Sequence, residues 1–243
     1  MRAIIATVVV LLVAGGAAQA TPAVDAGQHI LVPGQAGQEI QILVTGGDAV
    51  QGLELNAQIQ DGESGPVFED GEILVGTIFE GNNTGENIAG YVEDQVMYLG
   101  TTTAAGTVSA NGVLARLTID AGGVPIGVYA LSLTNKYEGA TNFAGLPADL
   151  TDGTLVVAIP GDITLDDFVG GDDLDIVLGN WGKVVSGWTH GDVDANNFVG
   201  GADLDMVLAS WGWGTPPAAS VPEPATLALL ASAGVALLRR RSR

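Results

Sequence analysis

Cysteine is absent from the 243 residues. That excludes disulfides, a thiolate nucleophile and any Cys-ligated zinc or iron–sulfur site. Basic residues are nearly absent too. Eight Lys and Arg stand against 28 Asp and Glu, for a net charge of −20. Between Thr21 and Leu238 the only basic residues are Arg116, Lys136 and Lys183, and every acidic residue lies in that stretch. Such a chain repels nucleic acid and anionic lipid and suits a divalent cation. Histidine is limited to His29 and His190, neither placed beside a nucleophile. Gly62-Glu63-Ser64-Gly65-Pro66 lacks the final glycine of a nucleophile elbow. No catalytic residue is therefore assigned and no enzyme is expected. Paired carboxylates of the kind that cleave glycosides are decided by spacing in space, not by counting.

A long apolar run is also missing, since a stable membrane span needs about 20 residues. Shorter runs mark both ends. Met1-Arg2, the apolar stretch Ala3–Val13 and Ala18-Gln19-Ala20 read as a signal peptide, residues 1–20, cleaved after Ala20. At the other end Val221-Pro222-Glu223-Pro224 precedes an apolar run, Leu227–Leu238, and Arg239-Arg240-Arg241-Ser242-Arg243. An apolar run closed by a basic cluster reads as a membrane segment with its positive end in the cytoplasm; at this length it is a transient signal. Residues 221–243 closely resemble the PEP-CTERM sorting signal. The resemblance implies export, recognition by an exosortase-type membrane protease near Pro222-Glu223-Pro224, and delivery to the cell surface or extracellular matrix. The alternatives are a buried N-terminal helix and an ordinary C-terminal tail anchor.

Residues 21–158 are expected to be all-β. Apolar and polar residues alternate through Leu53-Glu54-Leu55-Asn56-Ala57-Gln58-Ile59-Gln60 and again at Val113, Ala115, Leu117 and Ile119, the period of a strand with one buried face. Further strands are expected at Glu39–Thr45, Glu72–Phe79, Glu93–Leu99, Gly127–Thr134 and Thr154–Ile159. Short strands at this spacing, with no helical period between them, predict a β-sandwich. The stretches Gly37-Gln38-Glu39-Ile40-Gln41-Ile42, Val50-Gln51-Gly52-Leu53-Glu54-Leu55 and Gly112–Ile119 resemble a cohesin-like sandwich. Cohesins are related in fold to carbohydrate-binding modules, so the resemblance implies a binding scaffold, with polysaccharide as the alternative ligand. All four tryptophans lie outside this region. It holds only Phe68, Phe79, Tyr91, Tyr98, Tyr129, Tyr137 and Phe143 as aromatic residues, few platforms for sugar stacking.

After Pro160 a duplication begins. Gly161-Asp162 recurs thirty residues later as Gly191-Asp192, Phe168-Val169-Gly170-Gly171 as Phe198-Val199-Gly200-Gly201, Asp173-Leu174-Asp175 as Asp203-Leu204-Asp205, and Trp181-Gly182 as Trp211-Gly212. A repeat this close is a duplicated supersecondary unit. Each copy has the spacing of a calcium loop, in which six to eight oxygens come from positions 1, 3, 5, 7, 9 and 12. The first set is Asp162, Thr164, Asp166, the Phe168 carbonyl, Gly170 through water, and Asp173. The second is Asp192, Asp194, Asn196, the Phe198 carbonyl, Gly200 through water, and Asp203. Val169 and Val199 are expected to meet in a short two-stranded contact between the loops. Leu174, Val177, Leu178 and Trp181, and their counterparts Leu204, Val207, Leu208 and Trp211, predict a helix after each loop, with Gly182 and Gly212 where a C-terminal cap is wanted.

Residues 161–213 resemble a type I dockerin, and 214–220 read as a linker. The fold class expected for the chain is thus mainly β: a cohesin-like sandwich followed by a small α dockerin-like, EF-hand-like domain with two calcium loops. The resemblance implies Ca2+ as cofactor and a cohesin-like β-sandwich as protein partner, a second copy of this chain being one option. Head-to-tail contact of that kind could give an open chain. There are departures. Thr164 is a poor ligand, so the second loop is expected to bind more tightly. Position 6 is Asp167 and Asn197 where glycine is usual; both tolerate a left-handed turn. Positions 10 and 11 are Gly171-Asp172 and Gly201-Ala202, not the Ser-Thr pair common in cellulosomal dockerins, which puts a cellulosomal partner in doubt.

Overall fold

The computed structural model describes residues 20–46, 49–90, 95–135 and 141–217, with the side chains of 86–90 left aside. The chain divides into two compact units, residues 1–158 and 159–243. The first is built of strands β1 (Ala23–Asp25), β2 (Gln28–Leu31), β3 (Gln38–Thr45), β4 (Ala49–Val50), β5 (Gly52–Ile59), β6 (Val67–Glu72) and β7 (Glu86–Gly90). β8 (Val96–Thr102), β9 (Val108–Ser109), β10 (Gly112–Asp120), β11 (Gly127–Thr134), β12 (Asp149–Thr151) and β13 (Gly153–Val157) follow. One sheet has the order β12-β1-β3-β10-β6, the other β2-β13-β11-β5-β8-β7, and β4 pairs with β9 in a small ribbon.

The alternation in the sequence explains the layers. In β3, Ile40, Ile42 and Val44 are buried while Glu39, Gln41, Leu43 and Thr45 face solvent. Leu53, Leu55, Ala57 and Ile59 of β5 and Leu131 and Leu133 of β11 join them in one core with Leu117 and Ile119 of β10. In β10 a bulge between Val113 and Ala115 shifts the register against β3, so both Leu114 and Ala115 turn inward. The strands expected at Leu53–Gln60, Glu39–Thr45, Gly127–Thr134 and in the Val113–Ile119 stretch lie where β5, β3, β11 and β10 form.

Two expectations are corrected. Glu72–Phe79 is not a strand: β6 ends at Glu72. The Glu72 carboxylate accepts the amides of Leu74 (2.6 Å) and Val75 (2.8 Å), and the Thr77 hydroxyl donates to the Ile73 carbonyl (2.7 Å). Side-chain bonds to local backbone thus replace a ladder, while Ile73 and Phe79 still reach the core. The strand expected at Glu93–Leu99 runs instead from Val96 to Thr102, because Gly100, Thr101 and Thr102 continue the pairing with β5; Glu93 lies outside the described residues.

A register argument gives a direct test. Leu117→Ala, on the buried face, should destabilise the sandwich by about 2–5 kcal/mol. Leu43→Ala, on the outer face, should change stability by less than about 1 kcal/mol. Denaturant unfolding of both variants, with equal losses as the contrary result, checks it.

Candidate metal centre

The second unit carries two helices, α1 (Gly171–Asn180) and α2 (Gly201–Ala209), each preceded by an acidic loop, with a 3₁₀ turn at Trp188–His190 between the halves. Within each loop the backbone turns left-handed at two equivalent non-glycine positions. These are Leu165 (φ 61°) and Asp167 (φ 66°) in the first loop, Ala195 (φ 61°) and Asn197 (φ 64°) in the second. Such residues cost about 1–2 kcal/mol each without local support. The support comes from aspartate side chains bonded to the loop's own amides. Asp162 accepts Asp166 N (3.1 Å) and Asp167 N (3.0 Å), and Asp192 accepts Asn197 N (3.1 Å). Asp166 accepts Phe168 N (3.0 Å), and Asn196 Oδ1 accepts Phe198 N (2.8 Å).

The last aspartate of each loop is also the third residue of its helix. Asp173 takes the Gly170 amide on Oδ2 (2.8 Å), reaching back to the helix start. Its Oδ1 takes Ile163 N (2.7 Å), Thr164 N (2.9 Å) and the Thr164 hydroxyl (3.1 Å). Asp203 repeats this with Gly200 N (2.8 Å), Val193 N (2.7 Å) and Asp194 N (3.3 Å). Asp162, Asp173, Asp192 and Asp203 are at most 1% exposed. In the second loop, oxygens of Asp192, Asp194 and Asp203 lie within 4.8 Å of one another. In the first, the Thr164 hydroxyl stands where Asp194 would be. Burial, above all, pushes the Asp162 carboxyl above the ordinary aspartate range, and the neighbouring charges of Asp173 and Asp166 add to it. Asp192 is raised for the same reason, with Asp203 and Asp194 beside it. A cluster of hard oxygen donors, with charge concentrated out of water, is what a divalent cation neutralises. Position 9 is glycine because the position 7 ring lies over it: a Cβ on Gly170 would sit 2.7 Å from the Phe168 ring, and one on Gly200 2.9 Å from the Phe198 ring.

The two-stranded contact is not made between Val169 and Val199. Val169 N donates to the Trp213 carbonyl and Gly212 N to the Val169 carbonyl, both at 2.9 Å. Val199 N donates to the Lys183 carbonyl (3.1 Å) and Gly182 N to the Val199 carbonyl (2.9 Å). Each loop is therefore tied to the chain leaving the other loop's helix. Gly161 and Gly191 complete the exchange: a Cβ on Gly161 would be 2.9 Å from the Val207 backbone in α2, and one on Gly191 3.4 Å from the Val177 backbone in α1.

The helices expected after each loop form, and their apolar stripe lies partly outward. Val177 and Val207 are fully buried, but Leu178, Trp181, Leu208 and Trp211 are each about half exposed (53, 49, 51 and 48%). The inward row is Asp173/Val177, four residues apart, because the loop claims the aspartate. That turns the leucines and tryptophans outward. Trp188, outside the repeat, is the residue that sequence reasoning missed. It is buried, and its indole N–H donates to the Asp162 carbonyl at 2.7 Å.

Residues 220–242 match the PEP-CTERM protein-sorting motif, which implies export and cell-surface sorting; they and residues 1–19, within the stretch expected to be a signal peptide, lie outside the described residues. Among the described residues no helix is long and apolar enough to cross a membrane. No curated protein matches the chain. Solved structures similar to it include a non-cellulosomal cohesin from Archaeoglobus fulgidus (19% identity, TM-score 0.41), covering 57% of this chain and 91% of that one. A type I cohesin–dockerin complex from Clostridium thermocellum is 14% identical at TM-score 0.44, covering 59% of this chain and 97% of that one. A type III cohesin module from the cell-surface anchoring scaffoldin of Ruminococcus flavefaciens is 14% identical at TM-score 0.43, with 57% and 88% covered. Likeness at this level bears on neither ligand nor partner.

The raised aspartates fix a sign. With divalent cations chelated, the folded state binds protons at Asp162 and Asp192 more readily than the unfolded chain. Stability should therefore fall as pH rises from the ordinary aspartate range through the raised values. All four tryptophans lie in the second unit, so tryptophan fluorescence during melting reports it. Asp162→Asn with Asp192→Asn should flatten that slope; an unchanged slope would contradict the assignment.

Proposed function

We propose that the chain is an exported, non-catalytic surface protein. Its residues 161–213 bind two calcium ions and dock a protein partner, in the manner of a dockerin. The observation that carries this reading is the pair of acidic loops, each closed by backbone from the other half. Their donor set fits calcium. Asp162, Thr164, Asp166, Asp173 and the Phe168 carbonyl in one loop, and Asp192, Asp194, Asn196, Asp203 and the Phe198 carbonyl in the other, are all oxygen donors. Nitrogen and sulfur ligands, which favour zinc or copper, are missing from both sets. A bound calcium would supply the positive charge that these buried carboxylates lack. Affinity of roughly 10⁻⁴ M, the range of extracellular modules, follows from the glycine at position 9 and from Thr164.

Docking is supported by what the module leaves in water. Each half presents the same pair, Leu178 with Trp181 and Leu208 with Trp211, joined by Val184, Phe198 and Trp213. Exposed large apolar side chains mark interaction surfaces, and tryptophan is enriched among the residues that carry binding energy. Charge selects the partner. Lys183 is the module's only basic residue, and Arg116 and Lys136 are the only ones in residues 21–158. Two acidic bodies repel, so the favoured partner is a foreign sandwich with a neutral or basic face, not a second copy.

Calorimetric titration of the full chain should show two calcium ions bound. Asp162→Ala and Asp192→Ala should each remove at least one, the second loop being the tighter. A stoichiometry of zero would contradict the proposal. Capture from the producer's secretome should depend on calcium and be lost in Trp181→Ala/Trp211→Ala; capture indifferent to both would count against docking.

The sorting signal is tested separately. Intact-mass measurement of surface-extracted protein should find a start at Thr21 and an end near Pro222-Glu223-Pro224. Arg243 retained at the outer surface would contradict that processing.

A further inference from the structure

One end of the sandwich holds a cleft of about 560 Å³ that the docking reading does not use. Its floor is the outer face of β5 and β8. Glu54 stands opposite Gly100 in the ladder, and Asn56 opposite Tyr98. Gly100 leaves its place on that face empty, and the Tyr98 phenol lies across it, so that a Cβ there would overlap the hydroxyl. The hydroxyl donates to Glu54 Oε1 at 3.4 Å. At Gly52 the strands approach closely: a Cβ would meet the Thr101 carbonyl at 2.8 Å.

Both walls are held rigidly. On one side, the loop 141–145 is anchored by Asn142 and Phe143, 2% and 1% exposed. Glu54 N donates to the Asn142 carbonyl (2.8 Å), while Asn142 Nδ2 donates to Asn135 Oδ1 (2.7 Å) and Oδ1 accepts Ala148 N (3.1 Å). On the other side, the hydroxyls of Thr84 and Thr102 are 2.7 Å apart, and the Thr101 hydroxyl donates to the Gly85 carbonyl (2.7 Å). A pocket of this size with fixed walls and few convergent polar groups has the properties of a small-molecule site.

We infer that this cleft binds a neutral polyhydroxylated ligand, a saccharide of one or two rings. The lining decides the class. Among the described residues its only charged lining group is the Glu54 carboxylate, a strong acceptor for ligand hydroxyls. Threonine oxygens and glycine backbone add neutral polar partners, and none of the described lining residues is a cation that would hold a phosphate or a uronate. The fit is not to a flat polysaccharide surface. Phe68, Phe79, Phe143 and Tyr98 are buried, and Tyr129, only partly buried, does not line the cleft, so among the described residues no open ring platform lies there. Recognition then rests on hydrogen bonds within the cleft, and affinity should be weak, with Kd about 1 mM.

The test uses the full-length chain and three probes, cellobiose, maltose and N,N′-diacetylchitobiose, read by saturation-transfer NMR and titration. Lysine methyl ester serves as a cationic comparison. At least one disaccharide should bind, and Glu54→Gln should weaken it about tenfold while leaving the melting temperature of the sandwich unchanged. Tyr98→Phe provides a second variant that removes a hydroxyl and keeps the ring over Gly100; it should weaken binding several-fold. Absence of binding by all three sugars, binding indifferent to both variants, or binding of the amine alone would each overturn the inference.

Discussion

Four carboxylates, those of Asp162, Asp173, Asp192 and Asp203, are withdrawn from water in the second unit, beside apolar side chains such as Val169, Val177, Val199 and Val207. Isolated burial of a carboxylate is prohibitive, so each must be satisfied. Asp173 and Asp203 are satisfied by backbone: each collects amides from the loop and from the start of its own helix. Asp162 and Asp192 also accept loop amides, yet burial raises both above the ordinary aspartate range. The residual demand for positive charge is concentrated at one end of each loop. The left-handed turns, the glycines at position 9 and the crossed strands all arrange the chain around that demand.

Crosswise closure makes the halves interdependent. Val169 is paired with chain that follows α2, and Val199 with chain that follows α1. Neither loop can keep its shape if the other half comes apart, and the Trp188 indole adds a further tie to the first loop at the Asp162 carbonyl. A cation at either loop would thus stabilise both. The same arrangement fixes what is presented outward. With Asp173 and Val177 turned in, Leu178 and Trp181 have no inner place, and the repeat copies that surface at Leu208 and Trp211.

Much of this was legible in the chain, for physical reasons. Alternation marked β5 and most of β10, because a half-buried strand repeats every two residues. The repeat at thirty residues marked two equivalent loops, and Asp167 and Asn197 do adopt the left-handed turn expected of them. Other features could not be read from one-dimensional spacing. Ile73 and Phe79 are apolar at strand-like intervals yet sit in turns held by Glu72 and Thr77. Apolar periodicity marked the helices but not that Leu178 and Trp181 face solvent, since it gives no weight to an aspartate with a loop to hold. The partner strand of Val169 comes from more than forty residues away, and nothing at Val169 itself points to Trp213. The cleft beside Glu54 was invisible for the same reason: β5, β8 and the 141–145 loop meet only in the folded sheet.

The central claim is that two cation-binding loops close one another. Amide hydrogen exchange at Val169 and Val199 in the full chain, followed as calcium is added and then chelated, tests it most directly. Both amides donate to carbonyls of the opposite half, so both should gain protection together over one calcium range and lose it together with chelator. Exchange that ignores calcium, or protection of one amide while the other stays open, would contradict the account.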